Sequence, residues 1–351
     1  MAVDASSGPV ARTNQRRTKL IVAVGLAALL LAPSVWNFAI TSLLRWRNPP
    51  PGQLHLVEGK RMHLYCLGDG PQTIVIESGM GDDWLGWQGI QPKLSKLTRT
   101  CTYDRLGHGW SEPRSGSGDA ATIARQLKGL LEKAAIRGPM VLMAHSAGGL
   151  YVREFVGRYP VNVAAVVLLD SSSPEQVDEL PGFRSSYETG KKSRPGQIFW
   201  SRVRVWSGWE RLLGRCQSNP PKELEHLEGH FAAKRCRPDY IGGNLAEYMA
   251  FETAAKQAGQ TSSFGKIPLL IVSEDPERPG MTAEDIAEQP TWSREQERLK
   301  NLSPLSWRLI ARGAGHAVSD DKPDLVVREV KRLIDYLLGG PAPPFGSTKT
   351  E

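Results

Sequence analysis

Ser146 stands between two contrasting stretches of sequence. Before it, Met140-Val141-Leu142-Met143-Ala144 is a short apolar run with the character of a buried strand. After it, Gly148-Gly149 opens a helix-like segment, Leu150-Tyr151-Val152-Arg153-Glu154-Phe155-Val156. Small residues lie two positions before the serine (Ala144) and two after it (Gly148). A serine squeezed into a strand-to-helix turn fits a nucleophile elbow, in which a tight, strained turn lifts the hydroxyl clear of the sheet. Bulky flanking side chains would collide in such a turn. The helix that follows aims free N–H groups and the positive end of its dipole at charge developing on an attacked carbonyl. The chemistry this predicts is acyl transfer by a serine nucleophile. The five-residue pattern alone also fits an ordinary Ser/Gly-rich helix start, so the surrounding elements must decide.

Those elements are strands and helices in alternation. Residues 73–77 and 99–103 read as strands, and 163–170, 267–273 and 307–311 are apolar runs, as expected of strands buried on both faces of a parallel sheet. Ile123, Leu127, Leu130, Leu131 and Ala134 share one face of a helix that Asp119 can cap. Val326, Val327, Val330, Leu333, Ile334 and Leu337 do the same after Pro323, a suitable first-turn residue. This alternation predicts a doubly wound α/β sheet.

Four motifs follow one another along the chain: Glu77-Ser78-Gly79-Met80-Gly81, Tyr103-Asp104-Arg105-Leu106-Gly107-His108-Gly109-Trp110-Ser111, Ala144-His145-Ser146-Ala147-Gly148-Gly149, and Gly313-Ala314-Gly315-His316. With these motifs, in family order, the chain resembles the α/β-hydrolase superfamily over residues 53–338. The resemblance implies that His316 is the base that activates Ser146. It implies an acid between them in sequence that holds the imidazole in the correct tautomer. Asp275, just past the strand 267–273, is the expected acid, with Asp170, Glu274 and Glu277 as alternatives. The backbone N–H groups of Met80 and Ala147 are the expected oxyanion hole. His145 is expected to point away from Ser146 and to be structural, and His108 to organise hydrogen bonds in its own loop. The chain departs from the family pattern in having Ala144 for the usual glycine and in leaving the acid unfixed by spacing. A serine at the elbow argues against the epoxide-hydrolase and dehalogenase branches, which use a carboxylate there. No cofactor is implied. The histidines lack His-Glu-x-x-His spacing and no Cys-x-x-Cys pair occurs, so no metal site is expected.

Residues 20–44 are almost wholly apolar and carry no charge. About 20 such residues suffice to cross a bilayer. The expectation is an uncleaved transmembrane anchor joined by a Pro-rich linker, 45–52, with a cleaved signal peptide as the competing reading. Arg12, Arg16, Arg17 and Lys19 precede it, which predicts a cytoplasmic tail over 1–19 and a catalytic domain outside the cytoplasm. The family places a helical cap in the insertion after residue 170, here about 174–262. Within it 181–197 is expected to be a loop, and 223–234 and 244–256 helical. The aromatic and basic run 198–209 is expected to be a cap helix over the pocket, with contact to a membrane surface as the alternative. The Gly/Pro-rich tail 339–351 is expected to be disordered.

Cys66 can pair with Cys101 if their strands are neighbours, as in the usual order of this sheet, and Cys216 with Cys236. Four separate thiols are the other reading. The formal net charge of +7 is spread without a long basic run. It suits proximity to anionic lipid and gives no nucleic-acid signature. The expected partners are a small-molecule or lipid-like acyl substrate and membrane lipid through the N-terminal helix. The oligomeric state leaves no trace in the sequence. The leading expectation is a serine ester hydrolase. An acyltransferase or thioesterase on the same residues, or a catalytically silent binding protein, are the alternatives.

Overall fold

The structure, a computed structural model, describes residues 9–351, without the side chains of residues 9–15, 26, 27 and 30. Residues 1–8 of the tail expected over 1–19, and the side chain of Arg12, therefore lie outside what is described. Among the described residues, nine strands form one sheet in the order β1-β2-β4-β3-β5-β6-β7-β8-β9. They are β1 (Gln53–Val57), β2 (Lys60–Leu67), β3 (Thr73–Glu77), β4 (Arg99–Tyr103), β5 (Met140–His145), β6 (Val163–Leu169), β7 (Leu269–Ser273), β8 (Ser306–Ile310) and β9 (Thr348–Thr350). The pairs β1–β2 and β2–β4 are antiparallel and the others are parallel. The helices used below are α1 (Pro9–Arg47), α2 (Ala120–Lys133), α3 (Gly148–Arg158), α4 (Pro181–Trp206), α5 (Trp209–Leu212), α6 (Phe251–Gly259), α7 (Ala283–Arg298) and α8 (Pro323–Leu337).

The two-residue period of the strands divides the core between the two faces of the sheet. Leu142, Ala144, Val166, Leu168 and Ile271 meet Leu127, Leu130 and Leu131 of α2 and Val152, Phe155 and Val156 of α3. Val141, Met143, Val167, Leu270 and Leu309 face the other way, against Val326, Val330 and Leu333 of α8. Asp119 caps α2, its side chain accepting from Thr122 N at 2.8 Å. Because β3 and β5–β8 run parallel, their carboxyl ends share one edge, where ligands bind in such sheets.

Three expectations are corrected. First, among the described residues no helix is long and apolar enough to cross a membrane. Residues 20–44 belong to α1, 39 residues long, which carries Pro33 in its interior. Beyond Pro33 this helix docks on protein. Asn37 is buried, donates through Nδ2 to Val205 O at 3.0 Å, and accepts from Arg211 Nε at 2.7 Å. Second, 181–197 is part of the 26-residue helix α4 rather than a loop. Its Gly and Pro content opposes helix formation, but Phe183 and Tyr187 pack against Phe251, and this packing overrides propensity. Third, the tail is ordered. Phe345 packs edge-on against Trp307 and Tyr336, and the β-branched Thr348 and Thr350 lie in β9, paired with β8. Disulfides join Cys66 to Cys101, which face each other across β2 and β4, and Cys216 to Cys236 in the insertion.

Candidate active site

The turn after β5 places Ser146 at the sheet edge. Its φ is +53°, a left-handed conformation that a non-glycine residue adopts only where its surroundings enforce it. Ser146 N donates to Leu169 O at 3.2 Å and Ser172 N donates to Ser146 O at 3.0 Å, tying the turn to the end of β6. The following glycines are steric requirements. A Cβ on Gly148 would lie 2.6 Å from Glu77 O, and one on Gly149 would lie 1.6 Å from Ser171 Oγ.

Three side chains meet in a line. Ser146 Oγ lies 2.9 Å from His316 Nε2, and His316 Nδ1 lies 2.6 Å from Asp170 Oδ2. With Nδ1–H donating to the carboxylate, Nε2 is left to accept the serine proton. His316 opens to a cavity on one side. The surrounding protein disfavours its charge, but the hydrogen bond and charge of Asp170 outweigh that, and its pKa is raised above the ordinary imidazole value. Asp170 is fully buried at the end of β6. Its other partners are Glu274 N at 3.0 Å and Trp292 Nε1, which donates at 3.1 and 3.2 Å to the two oxygens.

The expected acid, Asp275, is corrected by this geometry. Its carboxylate faces the start of the histidine loop, accepting from Gly313 N at 2.7 Å and Glu277 N at 2.9 Å. These two N–H groups outweigh partial burial and hold its pKa below the usual carboxylate value. Asp275 therefore shapes the backbone that carries His316 and does not touch the imidazole. Glu274 turns its carboxylate to Gln289 and Arg278, each at 2.8 Å, and only its backbone reaches Asp170. Burial and the nearby Asp170 charge raise the Glu274 pKa. Glu277 is exposed.

Met80 and Ala147 both line the cavity beside Ser146, and among the described residues neither backbone N–H has an acceptor. The loop that presents Met80 is braced from beneath. Buried Arg105 donates to Ser78 O at 2.7 Å and to Gly79 O at 2.8 Å, and pairs with Glu77 and Glu247. Burial opposes the charge on Glu247, yet Arg105 and His108 hold its pKa well below the usual range. Trp87 Nε1 donates to Ser78 Oγ at 2.7 Å. His108 bonds Glu247 at 3.0 Å, so its loop is tied to the insertion. His145 points from the serine to the histidine loop, its Nε2–H donating to His316 O at 2.9 Å. Burial, with His316 nearby, lowers its pKa to about 4, so it stays neutral near pH 7. Trp292, Gln289 and Glu247 carried no sequence signal. Arg105 lies within the motif 103–111, but its two carboxylate partners are distant in the chain.

The cavity holds about 660 Å³. Its apolar wall comes from Leu180, Phe183 and Tyr187 at the start of α4, Phe251 of α6 and Trp292 of α7. Arg194, Glu274, Arg278 and Glu288 supply a polar side. This arrangement can bind an apolar chain, attack a carbonyl and receive the resulting oxyanion.

The profile of the alpha/beta hydrolase family matches residues 74–329. An uncharacterized protein of Schizosaccharomyces pombe is 25% identical over 328 residues, covering 83% of this chain and 56% of that protein. The uncharacterized protein YbdG of Bacillus subtilis is 32% identical over 166 residues, covering 44% of this chain and 50% of its own. The chain thus spans about half the length of these curated relatives. A thermophilic esterase from Thermogutta terrifontis superposes with a TM-score of 0.55 at 17% identity, covering 81% of this chain and 98% of the esterase. The epoxide hydrolase CorEH superposes with a TM-score of 0.60 at 18% identity, covering 81% and 98%. At such identities the likeness carries the fold alone. With most of its length matched by the family profile, the chain belongs to the alpha/beta hydrolase family.

Proposed function

We propose that the protein is a serine hydrolase that cleaves carboxylic esters through an acyl-enzyme on Ser146. The observation that carries this reading is the hydrogen-bonded line from Ser146 through His316 to buried Asp170, opening on a cavity. His316 Nε2 takes the Ser146 proton as Oγ attacks the ester carbonyl, and Asp170 stabilises the imidazolium that forms. The carbonyl oxygen becomes an oxyanion received by the N–H groups of Met80 and Ala147. The tetrahedral intermediate collapses as the alcohol leaves with the proton from His316. Water, deprotonated by the same nitrogen, then releases the acid and restores Ser146. The aromatic wall favours an apolar acyl or alcohol group. A carboxylate nucleophile is absent from the elbow position, which separates this reading from epoxide or haloalkane chemistry.

The test is intact-mass spectrometry during turnover of a slow aryl ester. The expected result is the wild-type mass plus one acyl group, located on the Ser146 peptide, and no adduct on Ser146→Ala. Turnover of esters by Ser146→Ala at the wild-type rate would overturn the proposal. An acyl-enzyme discharged by an added alcohol and not by water would move the assignment to acyl transfer.

A further inference from the structure

The same helix that walls the cavity carries, at its other end, an apolar ridge that is exposed among the described residues. Phe199, Trp200 and Trp206 on α4, Trp209 on α5, and Leu212 and Leu213 beside it are each between 48% and 61% exposed. Phe199, Val203 and Trp206 recur at i, i+4 and i+7 and so share a face, and Trp200 extends the ridge sideways with its ring edge-on to Phe199. An exposed apolar cluster of this size marks an interaction surface. We propose that it docks on the headgroup region of an anionic lipid bilayer.

Charge and composition select this occupant. Between residues 198 and 215 the chain has four arginines against one acid, Glu210. Tryptophan over a basic border is the pattern of interfacial segments. Arg202 bonds only a backbone carbonyl, Ile241 O, among the described residues. Behind the ridge, a pocket of about 490 Å³ is lined by Arg204, Arg215, Lys234, Arg235 and Arg237. Lys234 and Arg237 are spoken for by Asp83 and Asp239, while Arg204 and Arg215 share Glu210. Exposed Arg235 has no acid partner among the described residues. Such a pocket suits a phosphate-bearing headgroup.

Position agrees. Gly208 sits against the backbone of Pro33 and Ser34, so the ridge adjoins α1, whose Val35 and Phe38 are also exposed. A groove of about 450 Å³ along α4 shares Ser186, Arg194 and Asn244 with the Ser146 cavity and Ser201 with the basic pocket. Docking by the ridge therefore sets the groove and the cavity on one course from the bilayer. The docking claim stands whether or not the site hydrolyses esters, because its readout is binding.

The test is cosedimentation of the full chain with vesicles of phosphatidylcholine, alone or mixed with phosphatidylglycerol, at low and high salt. The expected result is stronger binding to the mixed vesicles, weakened by salt. Trp200→Ala/Trp206→Ala/Trp209→Ala lowers it by about tenfold or more. Arg202→Gln/Arg204→Gln lowers it by about 25-fold, from roughly fivefold per arginine at such a surface. Circular dichroism matching wild type certifies the fold, and Trp206→Ala alone serves if the triple variant fails that check. Equal binding to both vesicle types, or variants that bind like wild type, would overturn the proposal. So would variants that change only the size of the particle in size-exclusion chromatography, since the ridge would then cover a second copy of the chain.

Discussion

At the scale of the residue, His316 joins the chemistry to the fold. Its raised pKa gives two opposite pH dependences. Ester hydrolysis needs the neutral ring, so kcat/KM falls as pH drops through a limb centred above the ordinary imidazole value of about 6.5. The imidazolium–carboxylate attraction stabilises the fold below the unfolded pKa and fades as pH rises through the raised one. A pH profile of kcat/KM on a neutral ester checks the first, and an acid limb at or below pH 6.5 would contradict it. Replacing Asp170 by Asn leaves the imidazole in the wrong tautomer, and kcat is expected to fall by about 10⁴. Asp275→Asn removes only acceptors for Gly313 and Glu277 N–H groups, and kcat is expected to stay within about tenfold of wild type. The meeting of Ser146 and His316 is legible in the sequence because both lie in short Gly-rich turns directly after strands. The partner of the imidazole is not. Asp170 and Asp275 both follow neighbouring parallel strands, β6 and β7, and local spacing cannot say which carboxylate turns inward. The deciding contacts, Trp292 Nε1 and Glu274 N, come from elsewhere in the chain.

At the scale of the element, the oxyanion loop depends on a buried arginine between two carboxylates. Arg105→Met leaves Glu77 and Glu247 without their main counter-charge and Ser78 and Gly79 without a donor. Breaking one side of a buried ion pair costs about 3–5 kcal/mol. The expected outcome in urea unfolding is a loss of that size, with kcat reduced in the folded fraction. An unchanged midpoint would show that the loop holds without the arginine. The strands at the centre of the sheet are legible because apolar runs such as 163–170 and 267–273 fit burial on both faces. The insertion is not. Residues 181–197 contain five glycines and prolines that signal a loop, and the packing of Phe183 and Tyr187 against α6 makes them helical. The tail likewise has a loop composition, and long-range contacts of Phe345 order it.

At the scale of the molecule, one disulfide bridges the paired strands β2 and β4 and another closes part of the insertion, across sequence separations of 35 and 20. Loops of these lengths correspond to about 3–4 kcal/mol each in the chain-entropy account. Reductant is expected to lower Tm, and the Cys66→Ser/Cys101→Ser variant to match the reduced protein more nearly than the oxidised one. A reductant-independent Tm in differential scanning calorimetry would contradict this. The insertion and the carboxyl edge of the sheet meet around the Ser146 cavity, which has one hydrogen-bonded line at its base. The most direct test is the rate at which a fluorophosphonate modifies Ser146 in wild type, Asp170→Asn and Asp275→Asn, with the labelled peptide identified by mass spectrometry. The expected result is rapid labelling of Ser146 in wild type and Asp275→Asn, and labelling slowed by about 100-fold or more in Asp170→Asn. Slow labelling of Asp275→Asn beside rapid labelling of Asp170→Asn, or label on a residue other than Ser146, would contradict it.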